Sequence, residues 1–313
     1  MDAILASIVA AATPLVYAAV GETVGELAGV INLSLEGTIM LSAMTGFVAA
    51  FASGNVVVGF IAAAVVGMLL AAVVTFASIE LRLNQIAVGF VLTLLAAKLA
   101  IFFGTSYVGE AGPRVPALSI PLLDQIPFFG RVLFDQNLSV YGSYVAVVAA
   151  YLLIYRTRRG LILRGIGERP EAAFARGVPV NRLRYVYTIA GGALAGIAGA
   201  AFSLDVKLGW RDGLTTNFGW IALAIVIFGG WHPVRAAFGA YLFGALQIAA
   251  LKLQPVLPRV SQILGLMPFV LMIFALVLVN LRVLRGVWDR HPALRRVFAS
   301  EPPSALGTAF HPE

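Results

Sequence analysis

The stretch VVVGFIAAAVVGMLLAAVVTFASI, residues 56–79, carries no charged side chain. It is longer than the roughly 20 residues that a helix needs to cross a bilayer. Working outward from it, comparable apolar runs occupy about 4–20, 35–53, 85–104, 140–155, 185–204, 217–230, 235–251 and 262–280. The 313-residue chain is 60% hydrophobic and 12% charged, with a mean hydropathy of +0.92, so it cannot build a water-facing shell. These runs predict an all-α polytopic membrane protein with nine spans, within a range of about 8–10 transmembrane helices. The range reflects two segments: 21–34 can itself dip into the membrane, and the 105–139 connection contains the apolar piece IPLLDQIPFFG.

The chain opens Met1-Asp2-Ala3-Ile4, without the basic n-region of a secretory signal, so the first run is expected to be a retained span. The sequence holds no Cys, which excludes disulfides and thiolate chemistry. His232, His291 and His311 have no metal-ligand spacing, so no metal site is expected.

The net charge of +7 is distributed in a way that reports topology. The 156–184 connection, RTRRGLILRGIGERPEAAFARGVPVNRLR, is Arg-rich. If it is cytoplasmic, that side carries 15 Lys/Arg: Arg82, eight in 156–184, Arg235, and Arg282, Arg285, Arg290, Arg295 and Arg296. The other side carries six: Arg114, Arg131, Lys207, Arg211, Lys252 and Arg259. This is the positive-inside bias, and it argues against nucleic acid as the partner. The expected organisation is a membrane domain over 1–285, followed by a cytoplasmic tail over 286–313. The tail, ending EPPSALGTAFHPE, is expected to be disordered.

Acidic residues are missing from 37–79, 81–109, 136–167 and 213–288. Glu36 sits at the mouth of a span, and Lys98 is the one ionisable residue read as deep within one. Proton-coupled transporters usually keep carboxylates or His at membrane depth, so proton coupling is disfavoured. Sodium coupling through backbone carbonyls stays open. No Lys follows a Gly, so the phosphate-cradling loop G-x-x-x-x-G-K-[ST] is absent and the chain has no ATP site of its own. Paired acid/base groups near a span are also absent. Catalytic residues are therefore expected to be none, and an integral-membrane enzyme is the weakest reading.

Within the Arg-rich connection, GERPEAAFARGV reads as a short helix. Pro170 suits its first position, Glu171 its N-terminal dipole and Gly177 its stop. Gly167 and Glu168 lead into it. Ala172, Ala173 and Ala175 make a small-residue surface beside Phe174. Such a helix can dock in a partner's groove or lie on anionic lipid.

Here the sequence resembles a known family. GERPEAAFARGVPVNRLR followed by YTIAGGALAGIAGA is similar to the coupling region and next span of ABC-transporter permeases serving simple sugars, nucleosides and branched-chain amino acids. GELAGVINLSLEG resembles the nucleoside/simple-sugar pattern E-R-x-G-V-x-N-x-x-x-E-G. Glu26, Gly29, Val30, Asn32, Glu36 and Gly37 match, and Leu27 stands where a basic residue is usual. NQIAVGFVLT (84–93), FGWIALAIVIFGGWHP (218–233), GAYLFGA (239–245) and LMPFVLMIFALVLV (266–279) resemble further family segments. In the last, Phe269 and Met272 replace an expected Tyr and Thr. The likeness runs over about 15–280.

The resemblance implies a permease subunit in the bacterial cytoplasmic (inner) membrane, with a broken early span, a cytoplasmic coupling helix and a cytoplasmic C-terminus. It implies two ABC ATPase subunits, a second permease (identical or paralogous) and an extracytoplasmic solute-binding protein as partners. This chain would bind no cofactor, ATP being held by the ATPases. A nucleoside is the first expectation for substrate, then a ribose-like sugar, then a branched-chain amino acid. An ion-coupled secondary transporter is the competing reading.

The polar patch of GVINLSLEG (29–37), between apolar runs, then has two readings. Irregular backbone at membrane depth survives only in protein or along a wet cavity, so Asn32, Ser34 and Glu36 can line the path. Alternatively the patch is a polar loop at the cytoplasmic surface in which Asn32 caps the next helix. Even on the path reading, Glu36 is expected to take a structural role by pairing with backbone N–H groups. Asn84, Gln85 and Thr93, and Asn217, Phe218 and Trp220, are further path candidates, because amides and aromatic faces suit a sugar or nucleobase. Gly191, Gly192, Gly196 and Gly199 form a small-residue face read as helix packing.

Overall fold

The structure, a computed structural model, describes residues 2–121, 126, 129–255, isolated positions between 266 and 277, and 301–310. Eleven α-helices stand among these residues: α1 Asp2–Leu27, α2 Leu35–Ser53, α3 Val56–Ile79, α4 Gln85–Gly104, α5 Phe129–Leu133, α6 Leu138–Arg156, α7 Arg158–Glu168, α8 Pro170–Ala175, α9 Val180–Ala201, α10 Phe218–Gly229 and α11 Pro233–Leu253. A two-stranded antiparallel sheet, β1 Ala117–Ser119 against β2 Asp135–Asn137, folds part of the 105–139 connection.

Seven of these helices are long and apolar enough to cross a membrane, and α10 is a shorter apolar helix. The protein is thus an all-α polytopic membrane protein apart from its one small sheet. The run read as a seventh span, 217–230, is 12 helical residues, or about 18 Å at 1.5 Å per residue, which is too short to cross. The ninth run, 262–280, lies largely outside the described residues, as does 286–300.

Small residues set the packing. α9 is the central helix, and its glycine face meets backbone on three neighbours. A Cβ at Gly192 would lie 2.5 Å from the carbonyl oxygen of Gly67 on α3, and one at Gly199 2.5 Å from that of Ile39 on α2. A Cβ at Gly21 of α1 would lie 2.5 Å from the Gly191 carbonyl oxygen. Helices approach this closely only where side chains are absent, as is usual in bilayers. Outward, Val57, Ile61, Val65, Leu69, Val73 and Phe76 of α3 form an exposed apolar stripe, a face suited to lipid.

Two sequence expectations need correcting. The acidic residues do enter a helix of spanning length: α1 continues past residue 20 to Leu27, so it carries Glu22 and Glu26, both buried. Their neighbours Tyr17 to Val24 are apolar or small enough to continue the helix. The tail is not featureless either, because residues 301–310 pack on the body of the protein, with Phe310 buried. Backbone hydrogen bonds to Gly167 and Gly29 hold that segment in place.

Candidate functional site

Between α1 and α2 the chain is irregular over residues 28–34, and between α9 and α10 over 207–217. These two irregular segments meet at Glu36. Its Oε1 accepts the Asn217 N–H at 2.6 Å, and its Oε2 accepts the Gly219 N–H at 2.7 Å. The carboxylate thus satisfies the first N–H groups of α10, which a helix start leaves free, and its charge suits the positive end of the helix dipole. Asn217, at φ +70, turns the chain into α10. Gly219 is required at this contact, because a Cβ there would collide with the Glu36 backbone.

α4 holds the other side of the break. Gln85 accepts the Ile31 N–H at 2.9 Å, and Thr93 donates to the Leu33 carbonyl at 2.8 Å. Thr93 is eight residues beyond Gln85, so these two tethers are separated by roughly 12 Å along the helix. The break therefore enters well below the end of the bundle. Close approach is again made by glycine. A Cβ at Gly37 would lie 2.6 Å from Thr93 Cα, and one at Gly89 2.9 Å from Leu33 Cβ.

Within the break, Asn32 is 3% exposed. Its N–H donates to Glu22 at 3.2 Å, and its Oδ1 accepts from the Ser34 N–H at 3.1 Å and from Ser34 Oγ at 2.5 Å. Asn32 therefore closes a turn onto Ser34, the residue that precedes α2, and does not cap the helix. Glu26 accepts from the Trp231 indole N–H, which fixes the loop after α10 to the end of α1. Glu22 was not singled out in the sequence, and Glu26 was named only as a match to the family pattern, because the first apolar run was read as ending before them. A Glu four residues before another, ahead of a Gly-rich polar stretch, is the signal that could have drawn attention to them.

Lys207 steadies the opposite irregular segment. Its Nζ lies 4.4 Å from the Phe218 ring centroid and donates to the Leu214 carbonyl. Burial, and then the positive charge of Arg211, pull the Lys207 amine down to about 8. Phe218 is buried and packs edge-on against Phe202 and Phe243 at 4.6 and 6.3 Å between centroids.

Eight of the nine residues read as path candidates converge here: Asn32, Ser34, Glu36, Gln85, Thr93, Asn217, Phe218 and Trp220. Asn32, Ser34, Gln85 and Thr93 are buried in bonds that shape the break. Asn217 and Trp220 are exposed beside the Glu36 junction. Asn84 caps α4 through the Ala87 N–H at 3.1 Å and lines a cleft of about 330 Å³ with Ile31, Arg82 and Gly307.

A second constellation lies at the end of the protein that holds α7 and α8. α8 forms where expected: Pro170 is its first residue and Gly177, at φ +81, follows its stop. Glu171, Ala172 and Phe174 are exposed, Ala173 half-buried, and Phe174 is 43% accessible. Glu168 is exposed at the end of α7, while Gly167 is buried against the end of α1.

Residues 4–276 match a family described as the branched-chain amino acid transport system / permease component. Among curated relatives, TsgC13 of Haloferax volcanii, provisionally named a glucose ABC transporter permease, is 40% identical over 80% of this chain and 78% of its own length. NupC of Lactococcus lactis, named a nucleoside ABC transporter permease, is 28% identical over 89% of this chain and 92% of its own. NupQ of Bacillus subtilis, named a guanosine ABC transporter permease, is 28% identical over 85% and 88%. No solved structure matches significantly.

Proposed function

Because the chain belongs to the branched-chain amino acid transport system / permease component family, we propose that it is the membrane-spanning subunit of an ATP-driven ABC importer. Its cargo is a small polar solute, a nucleoside before a simple sugar. The relatives named for nucleosides, guanosine and glucose support that range, and a branched-chain amino acid is the alternative.

The observation that carries the reading is the junction at Glu36. Two irregular segments and the start of a half-length helix meet there, tied by backbone bonds rather than by side-chain packing alone. Broken helices of this sort offer backbone groups and helix ends to a solute in transporters. Asn217 and Trp220, exposed next to the junction, can supply amide hydrogen bonds and a stacking face. The buried residues Asn32, Ser34, Gln85 and Thr93 hold the break in shape.

The Arg-rich 156–184 connection, with its eight Arg, marks the cytoplasmic side. There α8 presents Glu171, Ala172 and Phe174 to a groove on the ATPase subunit. ATP binding draws the two ATPases together and moves α8, and through it the spans. A second permease chain completes the path, and a solute-binding protein delivers cargo on the other face. This chain hydrolyses nothing and resides in the cytoplasmic membrane.

Purification of the tagged chain from its native membrane in mild detergent tests this. An ATPase subunit is expected with the wild type and is expected to be lost from inserted Glu171→Lys and Phe174→Asp variants. A wild-type chain recovered without any ATPase contradicts the reading.

A further inference from the structure

Residues 301–310 lie across the end of the protein where α1, α7, α8 and α9 meet. Ser304 donates to the Glu168 carboxylate through its backbone N–H at 3.3 Å and its Oγ at 2.7 Å. The Ala305 N–H donates to the Gly167 carbonyl at 2.9 Å, and the Gly307 N–H to the Gly29 carbonyl at 3.0 Å. Arg184, in the second turn of α9, donates from Nη1 to the Thr308 carbonyl at 2.8 Å. Beyond these, the Phe310 ring is buried 5.5 Å from the ring of Phe174 on α8. One short segment thus touches the end of α7, the ring of α8, the start of α9 and the carbonyl where the membrane break begins.

We propose that residues 301–310 form a brace that carries the movement of α8 to the break at 28–34. The inference rests on α8 being the helix that the ATPase grips. Two features favour a brace over a flap that blocks docking. First, the outward surface of α8 stays open, with Glu171, Ala172 and much of Phe174 exposed beside the segment. Second, the segment is held at four residues, Ser304, Ala305, Gly307 and Thr308, whose hydrogen bonds to Glu168, Gly167, Gly29 and Arg184 must all break for it to lift away. The segment is therefore built to stay attached while α8 moves, and Gly29, against which Gly307 is bonded, moves with it.

The absence of Cys makes the brace directly testable, since an introduced pair supplies the only thiols of this chain and can be joined before the ATPase subunits are added. Glu168→Cys with Ser304→Cys, joined by a short bis-thiol reagent, locks the segment to α7 in the chain reconstituted with its ATPase subunits. A stop codon after residue 300 removes the segment. The brace predicts that the locked chain keeps at least half of wild-type ATP-driven uptake. It predicts that the truncated chain loses uptake tenfold or more while its ATPase subunit still co-purifies. Should the truncated chain fail to insert, the Ser304→Ala/Phe310→Ala double variant is expected to give the same split.

Uptake abolished by the lock, or unchanged or raised by removal of the segment, overturns the brace and makes the segment a flap or a bystander. ATPase lost from the variant alone also overturns it, because the segment then builds the docking surface. ATPase missing from the wild type instead overturns the permease reading, and the brace with it.

Discussion

Glu36 and Gly219 lie 183 residues apart in sequence, yet the Glu36 carboxylate accepts the Gly219 N–H at 2.7 Å. A Cβ on Gly219 would collide with the Glu36 backbone. This contact joins the start of α2 to the start of α10, and with the Asn217 N–H it fixes where the two irregular segments meet.

Replacing Glu36 tests that junction. Glu36→Ala leaves two N–H groups at the start of α10 without their acceptor, a loss of about 1–3 kcal/mol each where water cannot substitute. We expect a lower thermal midpoint in detergent and at least tenfold less solute uptake. Glu36→Gln keeps one acceptor oxygen and is expected to fall between Glu36→Ala and wild type in both measurements.

Gly219→Ala attacks the same contact from the other side. Overpacking of this kind costs roughly 1–3 kcal/mol. Because the two residues share one interaction, the double variant Glu36→Ala/Gly219→Ala is expected to be less destabilised than the sum of the singles. Additive losses in thermal unfolding would show that the residues act independently.

The glycine face of α9 sets assembly rather than transport. In Gly196→Val the new side chain meets the Ala63 backbone of α3. We expect poor membrane insertion and early unfolding in detergent, whatever the solute. A variant that accumulates normally and fails only in uptake would move this face into the path.

Lys207 gives a pH dependence with a definite sign. Its amine is pulled down to about 8 by burial, from an ordinary 10.5, so between those values the unfolded chain holds more protons than the folded one. Stability contributed at this site therefore rises with pH across that window and is at its lowest below about 8. The thermal midpoint of wild type relative to Lys207→Met is expected to rise between pH 8 and 10. A flat difference contradicts the burial of this amine.

The spans were legible because hydropathy is a local property: 56–79 needs no partner to declare itself, and α3 covers the same residues. α8 was legible for a similar reason, as Pro170 and Gly177 mark its ends by backbone preference. The junction was half legible. Asn32, Ser34 and Glu36 announced a break, and Glu36 was expected to pair with backbone N–H groups, as it does; which ones it meets was not readable, because backbone N–H groups carry no residue code. The same holds for 301–310, whose anchors on Gly29 and Gly167 are carbonyls that any residue would offer. That Glu22 and Glu26 belong to the first helix was hidden by a boundary drawn where the apolar run weakens, although α1 goes on to Leu27.

The most direct test of the account is uptake by the chain purified with its partners and reconstituted in liposomes, using labelled guanosine and glucose with the solute-binding protein outside and ATP inside. The account predicts uptake of at least one of the two that requires ATP hydrolysis and persists when ionophores collapse every ion gradient. Uptake by the chain alone, driven by an ion gradient and indifferent to ATP, would contradict it and establish a secondary transporter.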